Sequence, residues 1–193
     1  ENNMWVGTNN SLNKFFNGVF TRYEIDKEAP ISAGPKVPEE LLIDEYGELW
    51  IGDWGEGLYK YDRQTNSFKH FPYDSTVAEE RGPRGPKVIA LEETKDGKFW
   101  LSTINEGIDI FDVETKTFNH IYPNLNNPSG LHDNRIYEIL LDANETIWMG
   151  GYTSGVHKLD RGKQKFSILQ YNPSIKKSIS SSSVRSVYLD SKE

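Results

Sequence analysis

Cysteine is missing altogether from the 193 residues. No disulfide can brace the chain and no thiolate can hold a metal in it. The absence does not fix a compartment, because exported bacterial proteins also do without cysteine. No apolar run approaches the roughly 18 residues that a membrane helix requires, and no signal-peptide pattern is present. These residues therefore make no membrane contact of their own, although they are compatible with a place in a larger membrane protein. Basic charge is scarce: 22 Lys and Arg stand against 29 Asp and Glu, a net charge of −7. The densest basic cluster, Arg81 to Lys87, is broken by Pro and Gly. Nucleic acid is thus excluded as the main partner, and the acidic balance mainly favours solubility. No segment sustains a helical period, so hardly any helix is expected. No phosphate-cradling loop, nucleophile elbow, HExxH or EF-hand pattern occurs. His70, His120, His132 and His157 are scattered, and neither a metal nor a cofactor is expected.

What is present is a repeat. From Trp50, Trp100 and Trp148, a Gly falls at +7, an aliphatic at +8, an Asp at +12 and a Phe at +18. A looser copy starts at Trp5 and runs to Phe20. The four anchor tryptophans are 45, 50 and 48 residues apart, which makes this a repeat architecture. Each repeat reads as four short strands. The first is apolar-rich (87–92, 135–141, 183–189), the second carries the Trp, the third alternates, and the fourth carries the +18 Phe. Tight turns with Asp, Gly or Asn join strands one and two and strands three and four. Longer loops join strands two and three, and the longest segments link one repeat to the next.

Four antiparallel strands in 45–50 residues describe a propeller blade. The expected fold is all-β, a β-propeller fragment of about four repeats. Its parts are a partial blade at 1–24, blades at 38–71, 87–122 and 135–171, and a first strand of a next blade at 184–190. That last strand either pairs with the Trp5 strand or completes a blade of a neighbouring molecule. By the repeat's own spacing the next Trp would fall at about position 196, so the chain reads as part of a longer array. In a blade the 2–3 loops and the blade-to-blade segments share one face, and length and variation here concentrate on it.

The pattern Leu49-Trp50-Ile51-Gly52, Gly57-Leu58, Tyr61-Asp62 and Phe68 resembles the two-component regulator propeller repeat. Ser181 to Asp190 is similar to that family's first-strand consensus. The departures are Leu12, one position early, and Ser102 where Gly is usual. The resemblance implies a periplasmic sensor region of a Bacteroidetes-type hybrid two-component histidine kinase. There, many blades sense oligosaccharides ahead of a further β-domain, a membrane span and a kinase. It implies the remaining blades of a parent propeller as partners and no catalysis in this segment.

Trp5, Trp50, Trp100 and Trp148 are read as wedges between blades. Trp54 and Tyr152 lie in equivalent 2–3 loops outside the repeat pattern and are candidates for stacking on a sugar ring. Asp53, Glu56, Asn105 and Glu106 share that face and could bond sugar hydroxyls. Arg81 and Arg84, with Lys87, could pair an anionic glycan. Two further readings stand beside the sensor. One is a protein–protein scaffold, including a homodimer through exposed blades. The other is a propeller glycosidase or lyase using loop acids.

Overall fold

Alternating apolar and polar residues, rich in aromatic and β-branched types, fold into short strands that reverse at each Asp/Gly/Asn turn. The computed structural model describes residues 3–24, 35–73 and 81–190. Fifteen strands form four antiparallel sheets, and there is no α-helix among the described residues. The first sheet has three strands, β1 (Met4–Thr8), β2 (Ser11–Phe16) and β3 (Val19–Glu24). The second runs in order through β4 (Pro38–Ile43), β5 (Leu49–Asp53), β6 (Gly57–Asp62) and β7 (Ser67–Pro72). The third comprises β8 (Val88–Thr94), β9 (Lys98–Thr103), β10 (Gly107–Asp112) and β11 (Thr117–Ile121). The fourth comprises β12 (Ile136–Leu141), β13 (Ile147–Gly151), β14 (Gly155–Asp160) and β15 (Lys165–Leu169). Each is an up-and-down meander in chain order, the topology of a propeller blade. The chain divides into two units, Glu1–Ile89 and Ala90–Glu193.

Each repeat marker has a local physical cause. The Gly at +7 takes φ +97° at Gly57 and Gly107 and +84° at Gly155. A Cβ there would also meet the strand-four carbonyl of Phe71, Ile121 or Leu169 at 2.8, 2.6 or 2.2 Å. The Asp at +12 caps the next turn: Asp62 accepts from the Gln64 N–H at 2.8 Å, and Asp112 from that of Thr115 at 2.9 Å. Phe68, Phe118 and Phe166 are buried. In the first unit Leu12, Leu49, Ile51, Tyr59 and Tyr61 form one core. In the second unit Trp100, Ile108, Ile139, Ile147 and Met149 form another.

The residue two after each Trp shows how one sheet seats the strand that follows. A Cβ on Gly7 would lie 2.8 Å from the Pro38 carbonyl, and one on Gly52 would lie 2.9 Å from that of Val88. Ser102, the departure from the pattern, turns the same approach into a hydrogen bond, its hydroxyl donating to the Ile136 carbonyl at 2.6 Å. Gly150 faces Val184 in the same manner, at 3.0 Å from Cγ1.

The expected strand at 184–190 departs from the expectation. Gly155 N–H donates to Ser182 O at 2.7 Å, and Val184 N–H donates to Gly151 O at 2.9 Å. Among the described residues, 184–190 nevertheless join no sheet, and the sheet containing β1 remains three-stranded. A strand exists only where a neighbour completes its ladder. Residues 25–34 and 74–80, within the long segments between repeats, lie outside the described residues.

Candidate functional site

In the first unit the 2–3 loop is shaped from beneath by Asp53, which is fully buried. One carboxylate oxygen accepts from the Gly55 and Glu56 N–H groups at 2.8 and 3.0 Å, and the other from Val37 N–H at 2.6 Å. Burial pushes its pKa up, and these backbone donors pull the other way. Asp53 was expected beside the ligand residues on the solvent face; its oxygens are instead committed to the backbone, because an Asx turn closes this loop. The loop thereby holds Trp54 in place, its N–H on Val37 O at 2.9 Å and its side chain 39% exposed. Lys87 Nζ stands 4.8 Å from the centre of the Trp54 ring. Glu56 pairs with Lys36. The Glu56 carbonyl accepts from His70 Nε2 at 2.6 Å, and His70 stacks on Tyr59 at 4.1 Å. Burial lowers the His70 pKa, so the ring is a neutral prop for the loop. Arg81 is exposed and Arg84 half-buried. Gly82 and Pro83 between them are buried, and a Cβ on Gly82 would lie 2.2 Å from Pro72 O.

In the second unit Gly151 occupies the position of Asp53, and the missing carboxylate arrives from another segment. Asp133 Oδ2 accepts from the Thr153 N–H at 2.8 Å, the Ser154 N–H at 3.1 Å and the Ser154 hydroxyl at 2.9 Å. A Cβ on Gly151 would lie 2.9 Å from that oxygen, so glycine makes room for it. Tyr152 at the loop tip is 38% exposed, and its N–H donates to Arg135 O at 3.0 Å. The Arg135 guanidinium lies 4.8 Å from the Tyr152 ring centre and donates to Asn105 Oδ1 at 3.0 Å. Tyr137 meets Tyr152 edge to face at 5.7 Å, and Arg185 stands 5.6 Å from the Tyr137 ring. Asn105, Arg135, Tyr152, Tyr137 and Arg185 thus form a continuous ladder of amide, cations and phenols. Glu106 is half-buried, its N–H turned onto Thr103 O at 3.1 Å.

Asp133, Ser154 and His157 lie close together and buried, a combination that invites a nucleophile reading. The proton traffic runs the wrong way. The Ser154 hydroxyl donates to Asp133, and His157 Nε2 already accepts from the His132 N–H at 3.2 Å. Asp109 and His120, joined at 2.6 Å, lie side by side on β10 and β11 as Tyr59 and His70 do on β6 and β7. No group of three or more His, Asp or Glu is placed to hold a metal among the described residues.

Sequence reasoning places Trp54 and Tyr152 on equivalent loop tips but misses Asp133, Arg135, Tyr137 and Arg185. A signal was available for one: Lys87 and Arg135 each stand one residue before a first strand, and each ends over a loop aromatic.

No protein-family model matches the chain. No curated protein matches it either. Solved structures do match. An extracellular domain assigned to the hybrid two-component system BT3049 of B. thetaiotaomicron superposes with a TM-score of 0.75 at 19% identity, covering 86% of this chain and 23% of that one. An extracellular domain assigned to the hybrid two-component system BT4673 of the same organism gives 0.68 at 22% identity, with the same two coverages. The chain spans about a quarter of the length of these structures. In fold, it is a stretch of β-propeller blades like those of these extracellular domains.

Proposed function

We propose that this chain is a non-catalytic part of the extracellular or periplasmic sensor region of a two-component signalling protein, and that its 2–3 loops contact an oligosaccharide. One observation carries the reading. Trp54 and Tyr152 sit at the same repeat position, each more than a third exposed, on loops fixed by a buried carboxylate. Such preorganised aromatics lose little freedom when a sugar ring stacks on them. The cations beside both rings, Lys87 and Arg135, suit a sugar bearing carboxylate or sulfate groups. The commitment of Asp53 to three backbone donors supports a binding role over an acid/base one. The architecture of the matched extracellular domains supports the sensor setting.

The test is calorimetry of the full sensor region against neutral and uronic-acid oligosaccharides. Trp54→Ala and Tyr152→Ala should each weaken binding by about tenfold, the loss of roughly one stacked ring, without lowering the melting temperature. A variant with unchanged affinity would remove that residue from ligand contact. New reducing ends or unsaturated products, abolished by Glu56→Gln, would overturn the non-catalytic reading.

A further inference from the structure

The third and fourth sheets leave between them a cleft of about 680 Å³, within the size range of small-molecule sites. The corresponding place in the first unit is filled. There Trp5 lies 5.6 Å from the Tyr23 ring and 4.9 Å from the Tyr61 ring. The two phenol oxygens are 3.1 Å apart, and both hydroxyls reach Asn66 Oδ1, at 3.0 and 2.7 Å. Strand register maps these residues onto the second unit. Tyr23 opposes Leu12 as Ile121 opposes Ile108, and Tyr61 opposes Phe68 as Leu159 opposes Phe166. Trp100 stands for Trp5, and Gln164 for Asn66, with nearly equal φ of +51° and +52°. The scaffold is therefore the same, but two phenols have been replaced by two smaller aliphatics.

The open space is bordered by amides. Asn119, Asn124 and Asn127 line it. The Oδ1 atoms of Asn124 and Asn127 hold their own loop, accepting from the Asn126 and Ser129 N–H groups at 3.1 and 3.0 Å. Their side-chain N–H groups, and the whole Asn119 amide, have no protein partner among the described residues. The loop is firm: Asn124 N–H bonds Leu131 O at 2.8 Å, and Gly130 N–H bonds Asn127 O at 2.9 Å. Arg161 on the rim is neutralised by Asp96 and Glu145, at 2.8 and 3.3 Å.

We propose that this cleft binds a neutral hydroxylated ring, which occupies the volume that Tyr23 and Tyr61 fill in the first unit. Trp100, Ile121 and Leu159 supply the apolar wall, and the three asparagine amides donate to the hydroxyls. Arg161 is paired, Lys98 lines the cleft beside its cross-strand neighbour Asp112, and the amides are uncharged, which together favour no net charge on the ligand. The shared chemistry, a ring with hydroxyls, comes from either a sugar or a phenol. The site shares no residue with the loop aromatics Trp54 and Tyr152 and stands or falls apart from them.

The experiment follows the Trp100 indole N–H by NMR in the ¹⁵N-labelled chain, with cellobiose in one arm and p-cresol in the other. The Trp100→Phe spectrum assigns the signal. A saturable shift with either probe below about 10 mM is the expected result, and the arm that gives it identifies the source. The double variant Ile121→Tyr/Leu159→Tyr recreates the filled interface and should abolish that shift while raising the melting temperature. If that variant does not fold, Asn119→Ala decides, with an expected loss of affinity of about fivefold for one hydrogen bond. Tyr152→Ala must leave the shift unchanged. Absence of saturation with both probes, a shift that survives in the filled variant, or an unaltered affinity in Asn119→Ala would overturn the proposal.

Discussion

At the residue scale, the four anchor tryptophans are alike in sequence but not in how their indoles are satisfied. Trp50 and Trp148 each donate Nε1–H to an aspartate six residues upstream, Asp44 and Asp142, at 2.9 Å. The sixth residue before Trp100 is Thr94, whose hydroxyl is turned to Lys98 O and Asp96. Trp100 Nε1 is left buried without a partner among the described residues. Thr94→Asp should therefore stabilise the fold by about 1 kcal/mol, and Asp142→Ala should cost about 1–3 kcal/mol by stranding an indole donor. Urea unfolding midpoints measure both. His157 offers a second test. It is fully buried, and desolvation lowers its pKa from 6.5 to about 4. Between those values the unfolded chain binds a proton that the folded chain refuses. This contribution is whole above pH 6.5, falls as the pH drops, and is gone near pH 4. His70 adds in the same sense, whereas the raised carboxyl pKa values of Asp53 and Glu92 act in the opposite sense. His157→Gln should flatten the acid limb of the stability profile by about 2–3 kcal/mol. An unchanged slope would show that the ring is not the titrating group.

At the element scale, the strands were legible because each repeat marker answers a need met within its own hairpin. The Gly at +7 fits a left-handed corner beneath a carbonyl, and the Asp at +12 caps the turn that follows it. The candidate site was legible only where it follows the same local logic, as Trp54 and Tyr152 do. Asp133 was not, because it replaces Asp53 from a segment outside the repeat pattern. The ladder through Arg135 was not, because its members come from two sheets and the C-terminal segment. The seats at +2 give a test between elements. Gly52→Ala would bring a methyl within 2.9 Å of both Val88 O and Val88 Cγ1. It should cost about 1–3 kcal/mol. Ser102→Ala should cost only about 1 kcal/mol, one buried hydrogen bond with no clash. Thermal melts of the two variants should rank in that order.

At the scale of the whole molecule, residues 184–190 stand out. They belong to no ladder among the described residues, and Tyr188 is 88% and Leu189 48% exposed. Unpaired strand edges recruit partners. The isolated 193-residue chain is expected to self-associate, with a light-scattering mass that rises with concentration. Val187→Pro, which deletes one N–H and fixes φ, should shift it back towards the monomer. A mass equal to the monomer at all concentrations would rule this association out. The seats at Gly7, Gly52, Ser102 and Gly150 have a wider consequence. Each repeat carries, in its own second strand, the seat for the segment that opens its successor. Energetic coupling then runs between nearest neighbours, as along a one-dimensional lattice. During synthesis, every completed repeat presents a template as the next one leaves the ribosome, so folding can proceed vectorially with the growing chain.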